Sequence, residues 1–378
     1  WLRLRPSLRI PEKNSRLHRQ CKFRVMLTDN CSLLHRILVI RFSSLGDLVL
    51  TTPLYRELRQ AFPDAEITLL TSEGCGEVLA NNPHLDHILF HPRHERFSEL
   101  QALAAQLNAA AFDLVYDAHR SLRSRWLVAR LTAFGLKSRP TVWVINKRGW
   151  QRLALIKFRS KRMLPVRSQR EQWLLPLEQQ LGRSLPQHTE LFPESKSIVR
   201  VRTFMSAHHL EPKRFLAIGP SASQPLKCWP LEHFRTLIAE LCQRGWPLVL
   251  VGGPDEPEPE LLAEEFGDDV INAAGIFTPL ESAELLRYAV RVICNDTSIA
   301  HLAEAMHTPA LALFGPTVRE FGYAPLLPAS HLLETELDLP CRPCSKDGRG
   351  LCRNATTLQC LTSLSPEQVL RHVPDFPD

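Results

Sequence analysis

No stretch of the sequence approaches the roughly 18 uninterrupted apolar residues that a membrane-spanning helix requires. The opening, from Trp1 to Val25, carries charges throughout, where a secretory leader needs an apolar centre. These two absences predict a cytoplasmic protein. No GxGxxG follows either opening strand of the two α/β segments described below, which argues against a nicotinamide oxidoreductase, and no GxxxxGK[ST] is present, so there is no P-loop. No DxD occurs either, and a metal-dependent sugar transferase would need one to hold its cation. The ten cysteines are spread through 378 residues with four near the end, which is not the framework of a small secreted disulfide domain.

What is present is 44% hydrophobic residues in a chain long enough for two or three domains. The net charge of +6 is uneven. Residues 1 to 36 carry nine Lys/Arg against Glu12 and Asp29, so the remainder is nearly neutral. The chain opens on Trp1, and Met26 stands shortly before the first strand; residues 1–35 are expected to be a basic, disordered extension. A second asymmetry runs from Ala118 to Arg170, with fifteen Lys/Arg and no Asp or Glu. Such a face suits an anionic partner at a membrane surface, or none at all. No nucleic-acid module or stacking pair accompanies it, so nucleic acid is not expected.

The chain is organised around Ile37 to Pro53, ILVIRFSSLGDLVLTTP. Ile37 to Ile40 show no alternation, as in a strand buried on both faces of a parallel sheet. Ser43, Ser44 and Gly46 make a turn, and Leu48, Leu50, Leu54 and Leu58 follow at helical spacing. Asp47 thus stands at the C-terminal edge of a sheet, where open α/β sheets bind ligands. Its plain alternative is a helix cap.

Strands over Glu66–Ser72, His87–Phe90 and Phe112–His119 alternate with helices over Gly76–Asn81 and Phe97–Ala110. Leu185 to Arg214, with Pro186, Pro193 and Pro212 and a short helical piece, reads as a hinge. Alternation then restarts with Phe215–Ser223, a helix over Leu231–Arg244, the strand Trp246–Glu256, a helix over Leu280–Ala289, RVICND, a helix from Ser298 and ALALFG. The expected domains are 36–195 and 196–378, the second ending in a Cys-rich loop, 341–360, and a C-terminal helix.

Pro220 to Ser223, including Ser221, offer small residues and backbone N–H groups, and Lys227 supplies a point charge before Trp229, Pro230 and a helix start. That combination suits a pyrophosphate. Asp296 and Thr297 stand at another strand-to-helix junction, with His301 one turn on. Each has a plain reading as surface residue, cap or core histidine; their convergence on matching edges favours a site.

RFSSLGDLVLTTP, Lys227-Cys228-Trp229-Pro230 and CNDTSIAHLAEAMHTPALALFGPT resemble the ADP-heptose:lipopolysaccharide heptosyltransferases of glycosyltransferase family 9, closest to the branch of the second core heptosyltransferase. The resemblance implies the GT-B fold, two Rossmann-like doubly wound domains facing across a cleft. It also implies an inverting transferase moving heptose from ADP-heptose to a lipid A–core acceptor, with no required cofactor. In that family Asp47 matches the carboxylate that deprotonates the acceptor. Ser221, Ser223 and Lys227 match the pyrophosphate site, and Asp255 or Glu256 the ribose ligand. Asp296, Thr297, Ser298 and His301 match the donor motif, Ser298 replacing the usual glycine. Ser44, Gly46, Arg120 and Arg123 fall on the acceptor side. The expected protein is a monomer at the cytoplasmic face of the inner membrane. Rival classes are a transferase of the same family using another nucleotide-sugar or acceptor, and a non-catalytic nucleotide-sugar-binding protein.

Cys341, Cys344, Cys352 and Cys360 leave two readings open: a four-thiolate structural zinc site, or thiols that are reduced or joined in a labile disulfide.

Overall fold

The computed structural model describes residues 34–376, apart from 93–95, 134–138 and 160–165. The predicted extension, residues 1–35, lies almost wholly outside them. Leu34 and His35 already belong to the fold: Leu34 packs on the core, and the His35 N–H donates to Asp113 Oδ2 at 2.8 Å.

Strands β1 (Arg36–Ile40), β2 (Glu66–Ser72), β3 (His87–His91), β4 (Leu114–Asp117) and β5 (Thr141–Val144) form a parallel sheet in the order β3-β2-β1-β4-β5. β1 is central and buried from Ile37 to Ile40, which is why its sequence does not alternate. Helices α1 (Leu45–Leu50), α2 (Thr52–Ala61), α3 (Phe97–Ala109), α4 (Leu122–Leu131), α5 (Gly149–Phe158) and α6 (Gln169–Leu181) accompany this sheet in chain order. The helix expected over Gly76–Asn81 is a single 3-10 turn, Gly76–Leu79, too short to propagate the α-helical bond pattern.

In place of a hinge with a short helical piece, α7 (Ser195–Ala207) runs for 13 residues and buries Val201 and Met205. A second parallel sheet follows, with β6 (Leu216–Gly219), β7 (Leu248–Leu250), β8 (Val270–Asn272), β9 (Arg291–Asn295), β10 (Ala310–Phe314) and β11 (His331–Glu334) in the order β11-β10-β9-β6-β7-β8. Its helices are α8 (Leu231–Gln243), α9 (Pro257–Phe266), α10 (Pro279–Tyr288) and α11 (Ser298–Ala305). α10 starts at a capping box, in which Thr278 and Glu281 satisfy each other's backbone N–H groups. The expected C-terminal helix is two short ones, α12 (Gln359–Thr362) and α13 (Pro366–Leu370), separated by the Ser365 cap.

The two sheets are clasped rather than merely tethered. α5 buries Leu155 against Val318 and Phe321, which precede Tyr323 of the second half. At the start of α6, Gln169 N–H donates to Gly322 O at 2.8 Å, and Arg170 pairs with Glu304 at 2.6 Å with both side chains buried. Arg170 therefore does not belong to the basic face expected over Ala118–Arg170. Its charge is compensated inside the molecule, as a buried guanidinium requires.

Candidate active site

In each sheet the strand order reverses beside a central strand, β1 in the first and β6 in the second, and ligands of open α/β sheets bind at such points. The loops after β1, β6 and β9 converge there on a cavity of about 520 Å³. Ser44, Gly46 and Asp47 line one wall; Ser221, Ser223, Lys227, Glu256, Asp296, Thr297, Ser298 and His301 line the other. The sequence motifs, up to 257 positions apart in the chain, thus meet in one place. Asp255 is exposed and does not line the cavity, so of the two acidic residues after the glycine pair only Glu256 faces it. Arg120 and Arg123 do not line it either. Arg120 donates to Ile145 O at 3.1 Å, and Arg123 lies over the Phe42 ring, 4.5 Å from its centroid.

Asp47 combines its two sequence readings. Ser44 is the N-cap of α1, and its N–H and hydroxyl donate to Asp47 Oδ2 at 3.2 and 3.3 Å. The same oxygen is ion-paired with Arg41, a buried guanidinium that donates to Ala118 O at 2.8 Å and lies over the Trp173 ring. Oδ1 has no hydrogen-bond partner. One oxygen is anchored and the other keeps its lone pairs, in a residue that lines the cavity. Sequence reasoning missed Arg41 and Tyr323. Burial and the neighbouring Asp47 charge push the Tyr323 hydroxyl far above its usual value, so it stays a neutral donor. Lys147 also faces this region: burial and Arg41 lower its pKa, while Asp47 opposes the shift.

On the opposite wall Lys227 Nζ pairs with Asp296 Oδ2 at 2.7 Å and donates to Asp296 O at 3.3 Å. Thr317 donates to the same carboxylate oxygen at 2.7 Å. An ammonium has three donors, so one remains for a ligand. Buried Asn295 holds this arrangement together: Nδ2 donates to Pro220 O at 2.7 Å, and Oδ1 accepts the Trp229 N–H at 3.0 Å. It ties the end of β9 to the loop that carries Lys227. Glu256 Oε2 accepts the Gly253 N–H at 2.8 Å. Thr297 caps α11, whose N-terminal turn opens on the cavity and favours negative charge there.

The walls touch at Gly46. A Cβ there would lie 2.9 Å from His301 Cδ2 and 3.5 Å from Ser298 Cα, so α1 approaches α11 this closely only because residue 46 has no side chain. Ser298 fits opposite that glycine. His301 is buried, and burial, helped by the charges of Arg170 and Lys227, pulls its pKa down to about 3. It is neutral when folded and takes up a proton on unfolding below about pH 6.5. Its contribution to stability is therefore complete above that pH and is lost as pH falls toward 3, by about 2 kcal/mol between pH 7 and pH 5. Thermal melts should show the wild type losing stability over that interval and His301→Asn losing less; equal slopes would contradict the assignment.

The Cys-rich loop reaches the site from the far side. Lys346 and Asp347 line the cavity, and a Cβ on Gly348, whose φ is +83°, would lie 2.7 Å from Lys227 Cγ. The loop therefore seats the lysine stem. Cys341, Cys344, Cys352 and Cys360 line one small neighbouring cavity as free thiols. Burial, with smaller contributions from the other cysteines, raises the pKa of Cys344, and that of Cys360 to about 11. Among the described residues no group of His, Cys, Asp or Glu is placed to hold a metal ion. No described helix is long and apolar enough to cross a membrane.

A family model, glycosyltransferase family 9 (heptosyltransferase), matches residues 100–349. The chain belongs to glycosyltransferase family 9. Lipooligosaccharide heptosyltransferase 2 of Haemophilus influenzae is 25% identical over 314 residues, covering 75% of this chain and 84% of the relative. The solved family 9 glycosyl transferase of Veillonella parvula superposes with a TM-score of 0.72 at 23% identity, over 91% of this chain and 97% of that one. A heptosyltransferase of E. coli, solved with ADP-2-deoxy-2-fluoro heptose, gives 0.61 at 22% identity, over 89% and 99%. The two parallel sheets are those of the GT-B fold, and this family 9 member is a glycosyltransferase.

Proposed function

We propose that the protein transfers heptose from ADP-heptose, with inversion, to a lipid A–core acceptor of the lipopolysaccharide inner core. The observation that carries the reading is Asp47, whose carboxylate lines the wall opposite Lys227 and whose buried Oδ1 has no hydrogen-bond partner. An acceptor hydroxyl attacks the anomeric carbon. Its proton passes to Asp47 Oδ1 as the new C–O bond forms. The bond to the β-phosphate oxygen breaks, and the electron pair leaves with ADP. Arg41 and Ser44 keep Asp47 oriented. Lys227 and the N-terminal turn of α11 offset the charge that develops on the departing diphosphate. Glu256 lines the cavity and is assigned to a ribose hydroxyl, while Arg120 and Arg123, outside the cavity wall, are assigned to the acceptor phosphates on the family resemblance. The bound analogue in the related E. coli enzyme supports ADP-heptose as donor.

The test is incubation of purified protein with ADP-heptose and a delipidated core acceptor, followed by mass measurement of the products. Addition of one heptose with an inverted anomeric configuration is the expected result; no transfer, or retention, defeats the reading. Chelation by EDTA should leave the rate unchanged, because Lys227 and the helix terminus take the place of a cation. A rate lost to chelation and restored by magnesium, at constant Tm, would assign the leaving-group chemistry to a metal instead.

A further inference from the structure

The helix α5 carries apolar residues on two sides, Leu155 and Ile156 packing inward and others facing outward. Leu155 points into the protein, while Trp150, Leu153 and Phe158 are 85%, 52% and 66% exposed. Trp150, Leu153 and Lys157 share one helical face, with Phe158 at its margin. Leu122, at the first turn of α4, is 84% exposed. β4 and β5 are adjacent and parallel, with Asp117 level with Val144, so both helices rise from the same sheet edge. The Arg120 bond to Ile145 O joins the two connecting loops.

We propose that this face docks the protein onto an anionic lipid surface. The charge around it decides the occupant. Arg125, Lys157 and Arg159 are exposed on these elements, and the sequence from Ala118 to Arg170 holds no carboxylate. A second copy of the chain would press like charges together, whereas anionic headgroups complement them. Aromatic and aliphatic side chains backed by basic ones are what an interfacial helix places at the headgroup boundary. The site edge of the first sheet would then face the membrane, which rests on the reading above that the acceptor is carried by a lipid.

The test is sedimentation of the full chain with vesicles of phosphatidylcholine alone and with vesicles also containing phosphatidylglycerol. The wild type should sediment with the second kind only, and less so at high salt. Trp150→Ser/Leu153→Ser/Phe158→Ser, all at exposed positions, should bind those vesicles at least about tenfold more weakly and transfer to a delipidated acceptor at the wild-type rate. Equal binding by variant and wild type, no binding by the wild type, or a wild-type dimer that the substitutions dissociate would each overturn the docking face. Vesicle binding as expected without transfer by either protein would leave the face in place and defeat the functional reading instead.

Discussion

Asp47→Asn should lower turnover by the roughly 10²- to 10⁴-fold that general-base catalysis contributes, with donor affinity almost unchanged. The substitution isolates the proton-accepting step because of how the two oxygens are used. The amide oxygen can take the place of Oδ2, accepting from Ser44 and Arg41, so α1 keeps its cap. The amide nitrogen then occupies the position of Oδ1 and has no lone pair to receive a proton. Arg41 loses an opposite charge but keeps Ala118 O and the Trp173 ring, so some stability is lost without unfolding. If Asp47 only caps the helix, kcat and donor Kd both stay near wild type, since Asn caps about as well as Asp. A normal kcat with weakened donor binding would make it a donor ligand. Measuring both constants, with Tm as a control, distinguishes the three roles.

Lys227→Ala should weaken donor binding by roughly ten- to 150-fold, the equivalent of about 1.5–3 kcal/mol for a hydrogen bond to a charged group. Transfer should slow as well, because charge on the diphosphate grows as the sugar departs. The pairing with Asp296 supplies a competing account in which Lys227 serves only to neutralise that carboxylate. Lys227→Ala/Asp296→Asn separates them. If neutralisation is the whole role, the double variant regains stability and donor affinity. If Lys227 holds phosphate, it regains stability alone, and the defects in affinity and rate persist.

Much of the architecture can be read from local pattern. The unalternating run Ile37–Ile40, the small residues after β1 and β6, and Thr297 before the apolar stripe of α11 each record a local backbone state or degree of burial. The strands and helices they mark were found within a few residues of their observed bounds. Where local signals conflict, the reading failed. β8 is only three residues long, α6 contains Pro176, and α5 divides its apolar residues between the core and solvent, so none presents the expected period. The prolines around α7 point to a hinge with only a short helical piece, but its 13 residues form one helix whose Val201 and Met205 are held by tertiary packing.

Within the site, the sequence by itself determined which side chains stand at strand ends: Asp47 after β1, Lys227 after β6, and Asp296 and Thr297 after β9. Tertiary structure alone decided their relations. It paired Asp47 with Arg41, set Tyr323 near that carboxylate, turned Glu256 rather than Asp255 inward, buried Arg170 against Glu304 and laid Gly348 on the Lys227 stem. Local periodicity encodes backbone conformation and the side of an element that is buried. It carries no information about the distance between two strand ends, which is set by how two separately formed sheets pack at Gly46 and along α5 and α6.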